Sequence, residues 1–143
     1  MNRILVMGQS GAGKTTFAEK LVDELIARGY PVGWLNADDV REEYDDWDFS
    51  EEGRMRAAVR MKELSEQLDR EFVVIDMICP TSETRAAVDA DFTIFMDTVK
   101  KSMYEDTNKL FEAPTCETVD VCFQKYTNQE EAACVAEKIL RWL

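Results

Sequence analysis

No histidine occurs anywhere in the 143 residues. Any proton taken from a substrate near neutral pH must therefore pass to a carboxylate, a lysine or water. The same absence removes the commonest zinc ligand. The four cysteines, Cys79, Cys116, Cys122 and Cys134, include no Cys-x-x-Cys pair, so the usual structural zinc spacings are excluded and reduced, mostly buried thiols are expected. Long apolar runs are missing too. The stretch after Met1-Asn2-Arg3 is too short for a signal-peptide core or a membrane span, which predicts a cytoplasmic chain with no membrane partner. No arginine lies between Arg85 and Arg141, so any functional cation in that interval has to be a lysine.

What is present in excess is negative charge. A net charge of −12 repels polyphosphate backbones, which disfavours nucleic acid as a partner and is easier to reconcile with a small anionic molecule. With 45% hydrophobic residues the chain can fill one core, and a single domain over residues 1–143 is expected, with a homodimer left open.

Residues 3–7 read as a buried strand, followed by a glycine-rich loop and a helix from about Lys14 to Arg28, closed by Gly29. Residues 32–36 read as a second strand, with Asp38 and Asp39 where the next helix begins. Between Asp38 and Glu52 stand nine acids and one base, Arg41, a composition that predicts a solvated connection. Ser50 then caps a long helix to about Asp69, whose apolar positions are Met55, Ala58, Val59, Met61, Leu64 and Leu68. Residues 71–76 and 91–97 are β-branched and aromatic runs ending in acids, read as interior parallel strands, with a helix over 82–89 between them and another expected over 98–106. Residues 107–118 form a candidate lid, 119–123 a fifth strand, and Asn128 with Glu131 a capping-box start for a final helix. Alternating strands and helices of this kind predict an α/β fold with a five-stranded parallel sheet flanked by helices on both faces.

The loop Gly8-Gln9-Ser10-Gly11-Ala12-Gly13-Lys14-Thr15 fits G-x-x-x-x-G-K-[ST] in full, between a predicted strand and a predicted helix. Gly8, Ser10, Gly11, Ala12, Gly13, Lys14, Thr15 and Thr16 are the expected nucleotide-binding residues, for ATP. In that setting backbone N–H groups and the helix N-terminus cradle phosphates, Lys14 bridges the β- and γ-phosphates, and the Thr15 hydroxyl ligates Mg²⁺. Asp76 ends a strand either as a metal-supporting carboxylate or as the cap of the next turn. Asp38 reads as the general base for a hydroxyl acceptor, or as a helix cap, and Arg41 lies one turn on to hold an anionic group.

Leu35-Asn36-Ala37-Asp38-Asp39-Val40-Arg41 resembles the L-D-G-D-N-[IV]-R segment of adenylylsulfate kinases. Phe49-Ser50-Glu51-Glu52-Gly53-Arg54 is similar to that family's F-S-x-x-D-R, Ile78-Cys79-Pro80 to its I-S-P turn, and Phe95-Met96-Asp97-Thr98 to its F-[VL]-D-T. The resemblance implies a P-loop nucleoside-kinase-like fold and transfer of the γ-phosphate of ATP to the 3′-hydroxyl of adenosine 5′-phosphosulfate. It implies Asp38 as the catalytic acid, Arg41 and Arg54 as contacts to the acceptor's charged group, Phe49 as a stacking face for adenine, and Ile78 as part of the acceptor pocket. The nonfunctional alternatives are a core role for Phe49 and a surface salt bridge for Arg54.

Departures from the pattern are equally specific. Asn36 and Ala37 stand where the family has Asp and Gly, Ala57 replaces an acceptor-facing asparagine, and the arginine-bearing lid motif has become Asp106-Thr107-Asn108-Lys109-Leu110-Phe111, leaving Lys109 as the best-placed lid cation with Lys100 or Lys101 behind it. The segment Asn36 to Arg41 is also similar to the N-x-D-D-Y-R of polynucleotide 5′-hydroxyl kinases, which likewise carry an acid after the third strand. That alternative, and a nucleotide-binding regulatory module without catalysis, stay open at this point.

Overall fold

In the computed structural model, which describes residues 1–142, five strands and six helices alternate along the chain except where two helices follow β2 in succession. They are β1 (Asn2–Met7), α1 (Lys14–Ala27), β2 (Val32–Asn36), α2 (Ala37–Tyr44), α3 (Glu51–Leu68), β3 (Phe72–Asp76), α4 (Ser82–Val88), β4 (Phe92–Met96), α5 (Glu105–Leu110), β5 (Val121–Phe123) and α6 (Gln129–Trp142). The strands form one parallel sheet in the order β2-β3-β1-β4-β5.

The central strands are mostly apolar because both of their faces are covered. Ile4 and Val6 of β1, Phe72 and Val74 of β3, and Ile94 and Met96 of β4 pack with Phe17, Leu21 and Leu25 of α1 and with Val135 and Ile139 of α6. The alternate residues Leu5, Met7, Val73 and Ile75 pack on the other face with Val40 of α2, Ala58 and Met61 of α3, and Val88 of α4. Each fully buried side chain of this size contributes about 1.5–3 kcal/mol of transfer free energy, so a polar substitution in either layer would unseat a helix. Chain order reverses at β1, whose neighbours are β3 and β4. A crevice opens at the strand C-termini at such a point, and the glycine-rich loop leaves β1 there.

Several local expectations hold for identifiable reasons. The Ser50 hydroxyl accepts from Gly53 N (3.1 Å), and Asn128 and Glu131 cap each other's backbone N–H groups (3.0 and 3.3 Å). Others need correction. Val59 and Leu68 are exposed, and the buried face of α3 joins Ala58 and Met61 with Arg54 and the small residues Gly53, Ala57 and Ser65. The helix expected over 98–106 forms at Glu105–Leu110. The Thr98 hydroxyl is committed to Ala12 O (2.8 Å), Lys100 pairs with Asp97 (2.7 Å), and the bonds from Ser102 N and Ser102 Oγ to Asn108 Oδ1 (2.8 and 3.1 Å) close a turn ahead of the helix. The cysteines are not all reduced: Cys116 and Cys122 form a disulfide, because the chain after Glu112 folds back and brings Cys116 beside β5. Cys79 and Cys134 are free, the first buried and the second exposed. Among the described residues no helix is long and apolar enough to cross a membrane.

Candidate active site

The glycine-rich loop runs from β1 into α1. Gly13 caps the helix at φ 89°, in the left-handed region, with no side-chain cap, so the first turn of α1 faces the cavity through its backbone. Lys14 Nζ donates to Gln9 O (2.9 Å), curling the lysine back over the loop. Burial lowers the Lys14 pKa to about 8, while the negative charges of Asp76 and Asp38 act in the opposite direction. Thr98 braces the loop through Ala12 O, and the Tyr126 hydroxyl does so through Gly11 O (2.8 Å each). Gly8 and Ala12 are buried beneath the loop, whereas Ser10, Gly11, Gly13, Lys14, Thr15 and Thr16 line a cavity of about 520 Å³.

Asp76, at the end of β3, is nearly inaccessible to solvent. One carboxylate oxygen accepts from Thr15 Oγ1 (3.0 Å) and Asn36 Nδ2 (3.0 Å), the other from the Trp34 indole N–H (2.6 Å). Burial pushes its pKa up, and these donors, with Lys14, pull the other way. The side chains of Thr15 and Asp76 offer hard oxygen donors side by side next to the phosphate loop, a set that fits Mg²⁺. Asp38 lies in the first turn of α2, exposed and lining the same cavity, and the helix cap is Asn36, which accepts from Asp39 N (3.0 Å). The Asp38 carboxylate is therefore not consumed by capping.

Across the cavity, Arg41 and Arg54 are 6% and 5% exposed. Arg41 Nη1 donates to the carbonyls of Asp46 (3.0 Å) and Asp48 (3.3 Å), while Arg54 donates to Phe49 O (2.9 Å) and to Thr107 Oγ1 (3.0 Å). Both guanidinium groups lie against the Phe49 ring, 4.4 and 5.3 Å from its centroid. Phe49 is neither a core residue nor isolated: it is half-exposed and lines the cavity with Arg41, Arg54 and Ile78. The loop that carries it approaches α3 so closely that a Cβ on Gly53 would sit 2.2 Å from Asp48 O, which explains glycine at that position. After β3, Cys79 adopts φ 51° immediately before Pro80, a sparsely populated conformation that turns the backbone sharply along the cavity wall. Its thiol is pushed up to about 12 by burial, and so is inert near neutral pH.

The acidic stretch is less solvated than its composition predicts. Asp46 accepts from Arg56 (2.9 and 3.0 Å) and from Arg60 (3.1 Å), and these bonds, Arg56 first, hold its carboxyl well below the usual carboxylate range. Lys109 is exposed on α5 and does not line the cavity, nor do Lys100 and Lys101. Sequence reasoning passed over Trp34, Arg60 and Tyr126. Trp34 and Asn36 alternate on one strand and so share a face, and Arg60 falls on the face of α3 that carries Arg54 and Ala57, so periodicity offered a signal for both. Nothing local marked Tyr126.

This arrangement can be set beside known proteins. A family model described as adenylylsulphate kinase matches residues 2–125. A probable adenylyl-sulfate kinase of Pseudomonas aeruginosa is 37% identical over 93 residues, covering 63% of this chain and 44% of that protein. The adenylyl-sulfate kinase of Chloroflexus aurantiacus is 40% identical over 84 residues, covering 57% and 45%. The matched part of the chain thus spans a little under half the length of these curated relatives. In three dimensions the chain is similar to the Mycobacterium tuberculosis APS kinase in complex with AMPPNP and APS, with a TM-score of 0.79 at 20% identity and coverage of 98% and 97%. It is also similar to a gluconokinase from Sinorhizobium meliloti, with a TM-score of 0.66 at 18% identity and coverage of 99% and 93%. The two structures establish the P-loop kinase fold, and the family match, reaching from β1 past β5, establishes the lineage: the chain belongs to the adenylylsulphate kinase family.

Proposed function

We propose that the protein transfers the γ-phosphate of ATP to the 3′-hydroxyl of adenosine 5′-phosphosulfate. The observation that carries this reading is one continuous cavity. It runs from the phosphate loop, past Asp38, to a half-exposed aromatic ring flanked by two buried arginines. A purine stacked near Phe49 would bring its anionic tail toward Arg41 and Arg54, whose guanidinium forks suit phosphate and sulfate oxygens. The acceptor hydroxyl would then face Asp38, which takes its proton during in-line transfer. Lys14 and the first turn of α1 would orient the donor phosphates. Mg²⁺ would be held through Thr15 and the Asp76 carboxylate, where it would offset the charge on the transferring group. Because Lys109 stands outside the cavity, the acceptor's charge in this reading rests on arginines alone.

The test is ADP formation by the purified protein with Mg·ATP, in the presence of adenosine 5′-phosphosulfate or of a 5′-hydroxyl oligonucleotide. Stimulation by the phosphosulfate is the expected result. Stimulation by the oligonucleotide instead would transfer the site to the polynucleotide-kinase reading, and nucleotide binding without stimulation by either would leave a regulatory module.

A further inference from the structure

Position 36 carries an amide where the family segment L-D-G-D carries its first acid, and the amide lies beside the most buried carboxylate of the site. Asn36 and Asp76 are register partners across the β2–β3 pair, with Leu35 opposite Ile75 one step earlier. Asn36 Nδ2 reaches both Asp76 Oδ1 (3.0 Å) and Thr15 Oγ1 (3.2 Å). Two ionised carboxylates at these paired positions would repel, whereas the amide supplies a donor to the acid opposite it. The local geometry also decides which way the amide points. Asn36 Oδ1 is taken by Asp39 N as the cap of α2, which turns Nδ2 toward Asp76. The Trp34 indole donates to the other carboxylate oxygen, Asp76 Oδ2 (2.6 Å). Indole nitrogen is a donor only, so it can restrain an ionised oxygen and cannot compete with it for a cation.

We infer that the metal-supporting charge of this site stands on β3, with an amide at the β2 position where the family pattern has an acid. Asp76 on β3 carries the charge that the family pattern places at position 36 on β2, and Asn36 and Trp34 are positioning residues that aim it at Thr15. The inference rests on the kinase reading above for the presence of a divalent cation. It goes beyond that reading in assigning the amide and the indole a role, and in making positions 36 and 76 interdependent. The arrangement keeps a single negative charge beside Thr15, on a strand covered on both faces. There three donors restrain the carboxylate in one orientation, a preorganisation that outer-shell partners characteristically supply to metal ligands.

The test compares wild type, Asp76→Asn, Trp34→Phe and the double swap Asn36→Asp with Asp76→Asn. Each protein is saturated with ADP and titrated with Mn²⁺, free ion being followed by electron paramagnetic resonance. ADP affinity without metal is measured separately by calorimetry. Asp76→Asn should weaken Mn²⁺ retention by ~10-fold or more and Trp34→Phe by several-fold. Metal-free ADP affinity should stay within about twofold in Trp34→Phe, which changes no charge and no residue of the phosphate loop, and should not fall in Asp76→Asn, which removes an anion from beside the phosphates. The double swap should return Mn²⁺ retention to within about threefold of wild type, because the charge is restored across the pair. A double swap as weak as Asp76→Asn, or an Asp76→Asn protein that retains Mn²⁺ like wild type, overturns the inference while leaving the kinase reading standing. Wild type that binds ADP but retains no Mn²⁺ overturns both. Trp34→Phe leaves every carboxylate in place and tests the positioning role independently: if metal-free ADP affinity falls in step with Mn²⁺ retention, the indole is structural only.

Discussion

Lys14 is the charged side chain of the phosphate loop, and its surroundings shift its protonation. Burial brings it to about 8, so a bound polyphosphate, which favours the ammonium form, must draw in a proton wherever the lysine has begun to lose its own. ADP affinity should therefore be higher near pH 7 than above about pH 8, where it should fall by up to about tenfold per unit, as calorimetry in buffers of differing ionisation enthalpy would register. Constant affinity between those limits and about pH 9.5 would mean that the lysine keeps its charge throughout. Asp38 can be separated from Asp76 on kinetics. In the proposed reaction Asp38→Asn preserves shape and removes only a base, so kcat should drop by ~100-fold or more with little change in ATP affinity or in the magnesium dependence. Equal losses in kcat and in magnesium affinity would move Asp38 from proton acceptor to metal support.

At the scale of elements, α2, α3 and α4 all end on an aspartate in the left-handed conformation: Asp45 (φ 49°), Asp69 (φ 45°) and Asp89 (φ 54°). Glycine is the ordinary choice there, and a carboxylate at a helix C-terminus also faces the negative end of the dipole. Asp69 is exposed, so Asp69→Gly should raise stability by about 0.5–1 kcal/mol, a gain of roughly 2–4 °C in Tm by calorimetric scanning. Asp89→Gly should gain less. Its carboxylate faces the buried Arg3 at 3.4 Å, and that pairing would be lost along with the strain. If Asp89→Gly proves the more stabilising of the two, the Arg3 contact contributes nothing.

The molecule as a whole is strongly acidic, yet three guanidinium groups, those of Arg41, Arg54 and Arg60, line one cavity. Arg56 and Arg60 also quench the acidic stretch at Asp46, so the site's potential is set by a few close charges and not by the net −12. Binding of a small acceptor should accordingly weaken by less than ~10-fold between about 0.05 and 0.2 M salt, whereas a polynucleotide neutralising many phosphates would lose orders of magnitude. Fluorescence titration with adenosine 5′-phosphosulfate in the presence of Mg·ADP over that range measures the slope directly, and a steep one would contradict a single small-anion pocket.

Local chemistry alone was enough to read the glycine-rich loop, the parallel strands, the caps at Ser50 and Asn128, and the carboxylates at strand ends. Each of these depends on residues within a few positions of one another: alternating apolar side chains, an N–H needing an acceptor, a backbone needing positive φ. Asp38, Arg41, Phe49, Arg54 and Ile78 could be collected into one site from their segments, and the fold does bring them to one cavity. What the sequence could not settle were pairings made across the sheet or between distant loops. Cys116 finds Cys122 only because the chain folds back against β5, α5 begins late because Thr98 is drawn to the phosphate loop, and Lys109 ends outside the cavity that its motif position suggested. Asn36 and Asp76 are forty residues apart in the chain and adjacent in the sheet. That one is an amide and the other an acid becomes intelligible only when strand register sets them side by side, where two like charges would repel.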